Sequence, residues 1–433
     1  MVNLKNKNIL IYGFGASGKS CLNFLKRNNK IKIYDDNKFI IPKKFLGFFI
    51  NKNYIKSFFF DYIILSPGID INNCSLKKYL NINNSKVITD LDVFYSKFFN
   101  NTKITITGTN GKSTTVKLLY EVFKDSKKDV RLVGNIGKPV LNEINIKRNT
   151  IFIIEASSYQ LEYSKFFKTN ISVILNIETD HLERHKTFIS YVNSKFKLIK
   201  NQEKRGIAIV QNKDNILKKK ILLLQNKVKV LKINLNSKLN ILSKVTNRYL
   251  NNGINKDNFR FVYKIAKLFN LTDKQIIITA NKFKGLPYRQ TIIYKSKNLI
   301  VINDSKSTSF SSSYNLLKKY KNIYWLVGGI LKKGDRFNLK KKYLKHIKAY
   351  IFGKDLKNFS DQLKDKIPIK KFNNIKVAIK VIFKDMKQNQ NQNQINLIFS
   401  PSGASFDQFK NFEKRGEYFN YLIKKKLKQK NEK

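Results

Sequence analysis

The chain has 433 residues, 42% of them hydrophobic, and a formal net charge of +57. That length exceeds one compact core, so two or three domains are expected, and 33 Phe residues exclude wholesale disorder. Two Cys and three His exclude a disulfide framework and a His-rich metal site.

The charge comes from Lys spread along the whole chain, with Arg scarce and Asn, Ile, Phe and Tyr inflated alongside it. That pattern reads as compositional bias, because a phosphate-reading surface favours the guanidinium fork. No nucleic-acid partner is expected. Anionic substrates should still be attracted, in a salt-dependent way. No secretory leader precedes the first strand-like run and no stretch of about 18 apolar residues occurs, so a cytoplasmic protein without membrane insertion is expected.

In chain order, Asn8–Tyr12, Ile31–Tyr34 and Tyr62–Leu65 are short apolar runs separated by helix-like stretches, the pattern of a parallel sheet covered on both faces. The first run ends at Gly13-Phe14-Gly15-Ala16-Ser17-Gly18, and Asp35 and Asp36 close the second. This is the dinucleotide fingerprint. Its physics asks only for a diphosphate on a helix N-terminus and an acid near a ribose. NAD and a UDP moiety meet that requirement equally.

Lys103–Thr107 leads into Gly108-Thr109-Asn110-Gly111-Lys112-Ser113-Thr114 and a helical run, Thr115–Phe123. Glycines let successive backbone N–H groups face one anion, and the helix N-terminus adds its dipole. Lys112 can reach the β- and γ-phosphates of a nucleoside triphosphate, and the Ser113 hydroxyl can ligate Mg²⁺. Ile106 stands where the usual loop has its first glycine.

Ile151–Ile154 ends at Glu155, the start of EASSYQLE, and Ile171–Leu175 runs into NIETDHLE, which contains His181. Parallel strands bring these ends to one sheet edge, where a carboxylate can hold Mg²⁺. Gly206–Val210 is a further strand, and GLPYR (Gly285–Arg289) ends the unit with a turn signal. A third unit carries Leu299–Ile302, Tyr324–Val327, Tyr350–Phe352 and Asn396–Phe399. Gln388–Gln394 reads as a polar surface loop and the lysine-rich tail as a frayed end. The expected fold is α/β in three domains. Residues 1–92 are Rossmann-like, 93–287 form a P-loop ATPase-type, mostly parallel sheet, and 288–433 are again Rossmann-like.

The order of these motifs resembles the Mur ligases over nearly the whole chain; folylpolyglutamate synthetases share only the middle part. NDSKST (Asn303–Thr308) and SPSGASFDQFKNF (Ser400–Phe412) are similar to the branch of the family that adds D-glutamate. The resemblance implies ATP and Mg²⁺ as cofactors. It implies UDP-N-acetylmuramoyl-L-alanine and D-glutamate as substrates, an acyl-phosphate intermediate, and a monomer serving peptidoglycan synthesis. By the same resemblance Gly13, Ala16, Ser17, Asp35, Ser66, Gly68 and Asn135 match positions around the UDP-sugar. Gly108, Thr109, Asn110, Gly111, Lys112, Ser113 and Thr114 match the ATP phosphate loop. Asn255 and Asn258 match the adenine-side helix, and Arg289 and Asp304 match further nucleotide contacts. Lys112, Glu155, His181 and Lys195 match the catalytic group, with Ser113, Glu155, His181 and a carbamylated Lys195 as metal ligands. Lys306, Thr308, Lys332, Ser405 and Phe412 match the D-glutamate pocket, where Lys333 is an alternative to Lys332.

Overall fold

A computed structural model describes residues 3–431 except 204, 213–214, 225–227, 252, 333 and 389–393. The described residues form three sheets in two compact units, one of residues 1–180 and 184–283, the other of 181–183 and 284–433.

The first sheet has β1 (Asn8–Tyr12), β2 (Lys30–Tyr34), β3 (Tyr62–Leu65) and β4 (Val87–Ile88) in the order β2-β1-β3-β4. All its pairings are parallel. Its central strands are near-continuous apolar runs because both faces are covered. The second sheet holds β5 (Thr102–Thr107), β6 (Val130–Gly134), β7 (Ile151–Glu155), β8 (Ile171–Ile174), β9 (Ile207–Gln211) and β10 (Lys229–Ile233). Its order is β10-β9-β8-β5-β7-β6, again all parallel. The central β8-β5-β7 trio therefore delivers the residues after positions 107, 155 and 174 to one edge.

These two sheets share one apolar core, to which Ile9 and Phe14 of the first contribute beside Phe152 and Ile154 of the second. The helix Asp90–Lys97 joins them, and the expected boundary between residues 92 and 93 falls inside it. Phe94 of that helix packs edge-on against Phe152, with ring centroids 4.8 Å apart.

The second unit carries β11 (Thr291–Lys295), β12 (Leu299–Asn303), β13 (Ile323–Gly328), β14 (Ile347–Phe352), β15 (Ile369–Phe372) and β16 (Ile395–Ser402). The order is β11-β12-β16-β13-β14-β15, and only β11 runs antiparallel. Phe412–Asn431 is a single helix whose Phe419, Leu422 and Ile423 are buried in the core, and the last two residues of the lysine-rich tail lie outside the described residues. Apolar residues spaced at helical intervals anchor it despite the charge around them. Most of the polar run 388–394 lies outside the described residues.

One carboxylate fixes the joint within the first unit. Asp92 is fully buried, and its Oδ1 accepts from the N–H groups of Lys165, Phe166 and Phe167 at 3.0, 2.7 and 2.9 Å and from Ser164 Oγ at 3.0 Å. Its Oδ2 accepts from the Thr89 N–H at 2.8 Å and Thr89 Oγ1 at 3.0 Å, closing a capping box. Hydrogen bonds to a charged acceptor are the strong ones, and buried donors left without it are costly. Asp92→Ala should therefore lower unfolding stability by about 3 kcal/mol, read as a shift in the urea midpoint; a midpoint equal to the wild type would contradict this role.

Candidate active site

At the end of β5 the chain turns through Gly108 and Gly111 into the helix Lys112–Asp125. Gly111 has φ +84°, and a Cβ there would collide with the Asn258 side-chain amide, so any other residue would meet both backbone strain and a steric clash. The loop is held by the next strand's exit. The Thr109 N–H donates to Asn176 O at 3.0 Å, the Asn110 N–H to Asn176 Oδ1 at 2.8 Å, and Asn176 Nδ2 back to Asn110 O at 3.0 Å. Thr109 Oγ1 lies 3.0 Å from the Tyr191 hydroxyl.

Two lysines converge here. Lys112 Nζ donates to Gly108 O at 2.7 Å and Thr109 O at 2.8 Å, and Lys195 Nζ donates to Gly108 O at 3.0 Å. Lys195 is 1% exposed. It projects from the helix Phe188–Lys200 on the face that buries Tyr191, Val192, Leu198 and Ile199. Burial, and then the charge of Lys112, holds the Lys195 amine well below the usual lysine range, against the pull of Asp180 and Glu155.

Glu155 ends β7 and is 1% exposed. Its Oε1 accepts from Asn135 Nδ2 at 2.7 Å, and the Asn135 N–H donates to Glu155 O at 2.9 Å. Its Oε2 is buried without a hydrogen-bond partner. A bare buried carboxylate oxygen at the same sheet edge as this glycine turn fits a cation. Among the described residues no group of three His, Cys, Asp or Glu side chains is arranged to hold a metal. Any metal here would therefore need ligands of other kinds, such as the Ser113 hydroxyl, a modified Lys195 or the substrate.

Not every expected residue joins this group. His181 groups with the second unit; it has φ +56°, and its Nδ1 lies 3.1 Å from Glu183 Oε1. A positive φ at a bulky residue marks local strain. Asn255 and Asn258 are buried on the helix Gly253–Leu268; Asn255 Nδ2 donates to Tyr249 O at 3.2 Å, and Asn258 lies against Gly111. Ser113 and Thr114 are buried in the first turn of the phosphate-loop helix.

In the first sheet, Gly13 has φ +92°, and its carbonyl accepts from Ser66 Oγ at 2.7 Å. Both Asp35 oxygens accept backbone N–H groups, from Phe14 at 2.7 Å and Asn37 at 2.9 Å, so Asp35 shapes the glycine turn itself. Ser17 hydrogen-bonds Asp90, whose carboxyl burial lifts to about 6. Ala16 and Gly68 are exposed at the same strand ends. Sequence reasoning missed Asp90, Asp92, Arg184 and His185, all of which act through partners distant in the chain.

In the second unit, Lys306 Nζ sits 4.0 Å from the centroid of the Phe412 ring. Asp304, 5% exposed, accepts from Ser400 Oγ at 2.8 Å and from the Gln290 N–H at 3.1 Å. Burial lifts its carboxyl to about 7, opposed by those hydrogen bonds and by Arg289 and Arg415. Thr308 is half-buried, as is Lys332; Ser405 is buried. Lys333 lies outside the described residues.

Residues 106–280 match the family model of the Mur ligase middle domain. The chain is 32% identical to the UDP-N-acetylmuramoylalanine--D-glutamate ligase of Rickettsia bellii, over 96% of this chain and 97% of that one. It is 31% identical to the ligase of the same name from Francisella tularensis, over 96% and 95%. Among solved structures, MurF from Thermotoga maritima in complex with ADP has a TM-score of 0.59 at 16% identity, over 98% of each chain. MurC from the same organism has a TM-score of 0.57 at 17% identity, over 97% of this chain and 100% of that one. At those identities the structures establish the fold.

The Asp304 carboxyl generates a pH signature. Its folded pKa, about 7, lies above the ordinary aspartate range, so the folded chain holds a proton that the unfolded chain releases. Stability from this group is full below the unfolded value and is lost as pH rises toward the folded one. Between about pH 5 and about pH 8, Asp304→Asn should show a smaller loss of urea stability than the wild type. An equal loss in both proteins would contradict the assignment.

Proposed function

The chain belongs to the Mur ligase family, among its UDP-N-acetylmuramoylalanine--D-glutamate ligases, and from that premise we propose which residues carry the reaction. The reaction is ATP-dependent addition of D-glutamate to UDP-N-acetylmuramoyl-L-alanine through an acyl phosphate, in peptidoglycan synthesis. The observation that carries the assignment of residues is the convergence of Lys112, Lys195 and the unpaired Glu155 oxygen around the turn at Gly108.

Residues 1–92 take the sugar nucleotide, with Gly13, Ala16, Ser17, Asp35, Ser66, Gly68 and Asn135 around it. Residues 93–287 take ATP. The loop Gly108–Thr114 seats the triphosphate on the helix N-terminus. Lys112 exchanges its two backbone carbonyls for phosphate oxygens, and Asn255 and Asn258 line the adenine side. Residues 288–433 take D-glutamate through Lys306, Thr308, Lys332, Ser405 and Phe412.

The peptide carboxylate attacks the γ-phosphorus, ADP leaves, and the activated carbonyl is then attacked by the neutral amine of D-glutamate; phosphate leaves as the amide forms. The unactivated carboxylate is a poor electrophile, and crowded anionic oxygens resist approach, so charge neutralisation dominates. Lys112 supplies a fixed positive charge. Ser113, Glu155 and Lys195 would hold Mg²⁺, which would supply further neutralisation of the phosphate oxygens. Lys195 joins that set as a carbamate: a neutral amine adds to CO₂, releases a proton and becomes an oxygen donor. The depressed basicity of Lys195 makes that neutral amine accessible. Among the described residues no helix is long and apolar enough to cross a membrane. Action as a cytoplasmic monomer completes the reading.

Two measurements test it. Lys112→Ala should lower D-glutamate-dependent phosphate release by about 100-fold or more, and full activity would refute the loop assignment. Protein equilibrated with ¹³C-labelled bicarbonate should show a carbamate carbon resonance that vanishes in Lys195→Ala; an unchanged spectrum would exclude the modification.

A further inference from the structure

One side chain that no motif singles out joins the loop after β3 to the helix after Glu155. Arg184 is 7% exposed. Its Nε donates to Glu162 Oε2 at 2.8 Å, and its Nη2 donates to Ile69 O at 2.7 Å. The guanidinium stacks on the rings of Tyr159 and Tyr163, 5.0 and 5.3 Å from their centroids. The Tyr163 hydroxyl accepts from the Ile71 N–H at 3.3 Å, so the same arm grips the loop twice. His185, the next residue, places Nε2 3.0 Å from Ser158 Oγ. Lys197 Nζ donates to Glu162 O at 2.6 Å.

The two ends of this network are the two sites. The loop it holds begins at Ser66, whose hydroxyl is bonded to Gly13 O in the first glycine turn. The helix it holds, Ser158–Glu162, starts just after Glu155, and the Ser157–Gln160 capping box ties down its first turn. A planar fork can bond an acid and a carbonyl while lying against two rings, a set of contacts that a lysine cannot reproduce.

We propose that Arg184 is a positioning residue that couples occupation of the sugar-nucleotide site to the geometry of the ATP site. The proposal rests on the functional reading above and goes beyond it. Seating a diphosphate on the first glycine turn moves or stiffens the Ser66–Ile71 loop. Arg184 passes that change to Glu162 and so to the helix behind Glu155. Coupling of this kind is reciprocal: each ligand changes the other's affinity by one factor.

The test is calorimetric titration of UDP-N-acetylmuramoyl-L-alanine into the full chain, with and without a non-hydrolysable ATP analogue and Mg²⁺. In the wild type the analogue should tighten binding by about 5-fold or more. In Arg184→Lys that factor should fall toward one while each ligand alone still binds. Glu162→Gln keeps shape and an acceptor oxygen, and serves as second variant should the first fail to fold; the same loss is expected. A factor unchanged in a folded variant, whatever its melting temperature, overturns the proposal, as does a wild type that binds both ligands independently. A wild type that binds neither overturns the functional reading itself, and this inference with it.

Discussion

Two lysine ammonium groups aimed at one backbone carbonyl form an arrangement that the rest of the first unit exists to support. Both Lys112 and Lys195 donate to Gly108 O, and like charges brought this close in a partly desolvated site repel by several kcal/mol at an effective dielectric near 20. The pair persists because Lys195 is biased toward its neutral form and because Asp180 and Glu155 lie near enough to oppose the repulsion. The site is therefore cation-rich at Lys112 and cation-accepting at the bare Glu155 oxygen. On the proposed reading, a triphosphate with its counter-ion would relieve both conditions together, which is what preorganisation means in electrostatic terms.

The sheet makes that arrangement possible. Because β8, β5 and β7 are adjacent and parallel, Asn176, Gly108 and Glu155 leave the sheet at one edge. Asn176 then pins the loop from the side, and Asn258 packs so closely on Gly111 that the left-handed turn has no room for a side chain. The same logic operates in the first sheet, where Ser66 leaves β3 and bonds the glycine turn leaving β1.

Where the sequence was legible, the reason is burial on both faces. Tyr62–Leu65 and the cores of β7, β13 and β16 stand out as apolar runs because parallel strands hide both sides. β11 was invisible because it is an exposed antiparallel edge, and β4 because two residues carry no period. The strand–turn–helix at Gly108–Thr114 was legible since its glycine pattern is local. Arg184 and Asp92 were not, since their partners lie far away in sequence. Lys195 did carry a signal in principle. It lies three residues after Val192 and three before Leu198, which places it on the apolar face of its helix.

The composition explains why such signals were hard to see. With 86 Lys and Arg against 29 Asp and Glu, a lysine conveys almost nothing and an acid conveys a great deal. Exposed lysines cost little, because surface charges in water contribute weakly to stability. Acids are few, and Asp90, Asp92, Glu155 and Asp304 are buried. Asp35 holds the first glycine turn, Asp92 the joint between sheets, Glu155 a buried bond to Asn135 and Glu162 the arginine fork. In a chain this basic, the positions of the negative charges, rather than the excess of positive ones, trace the functional architecture.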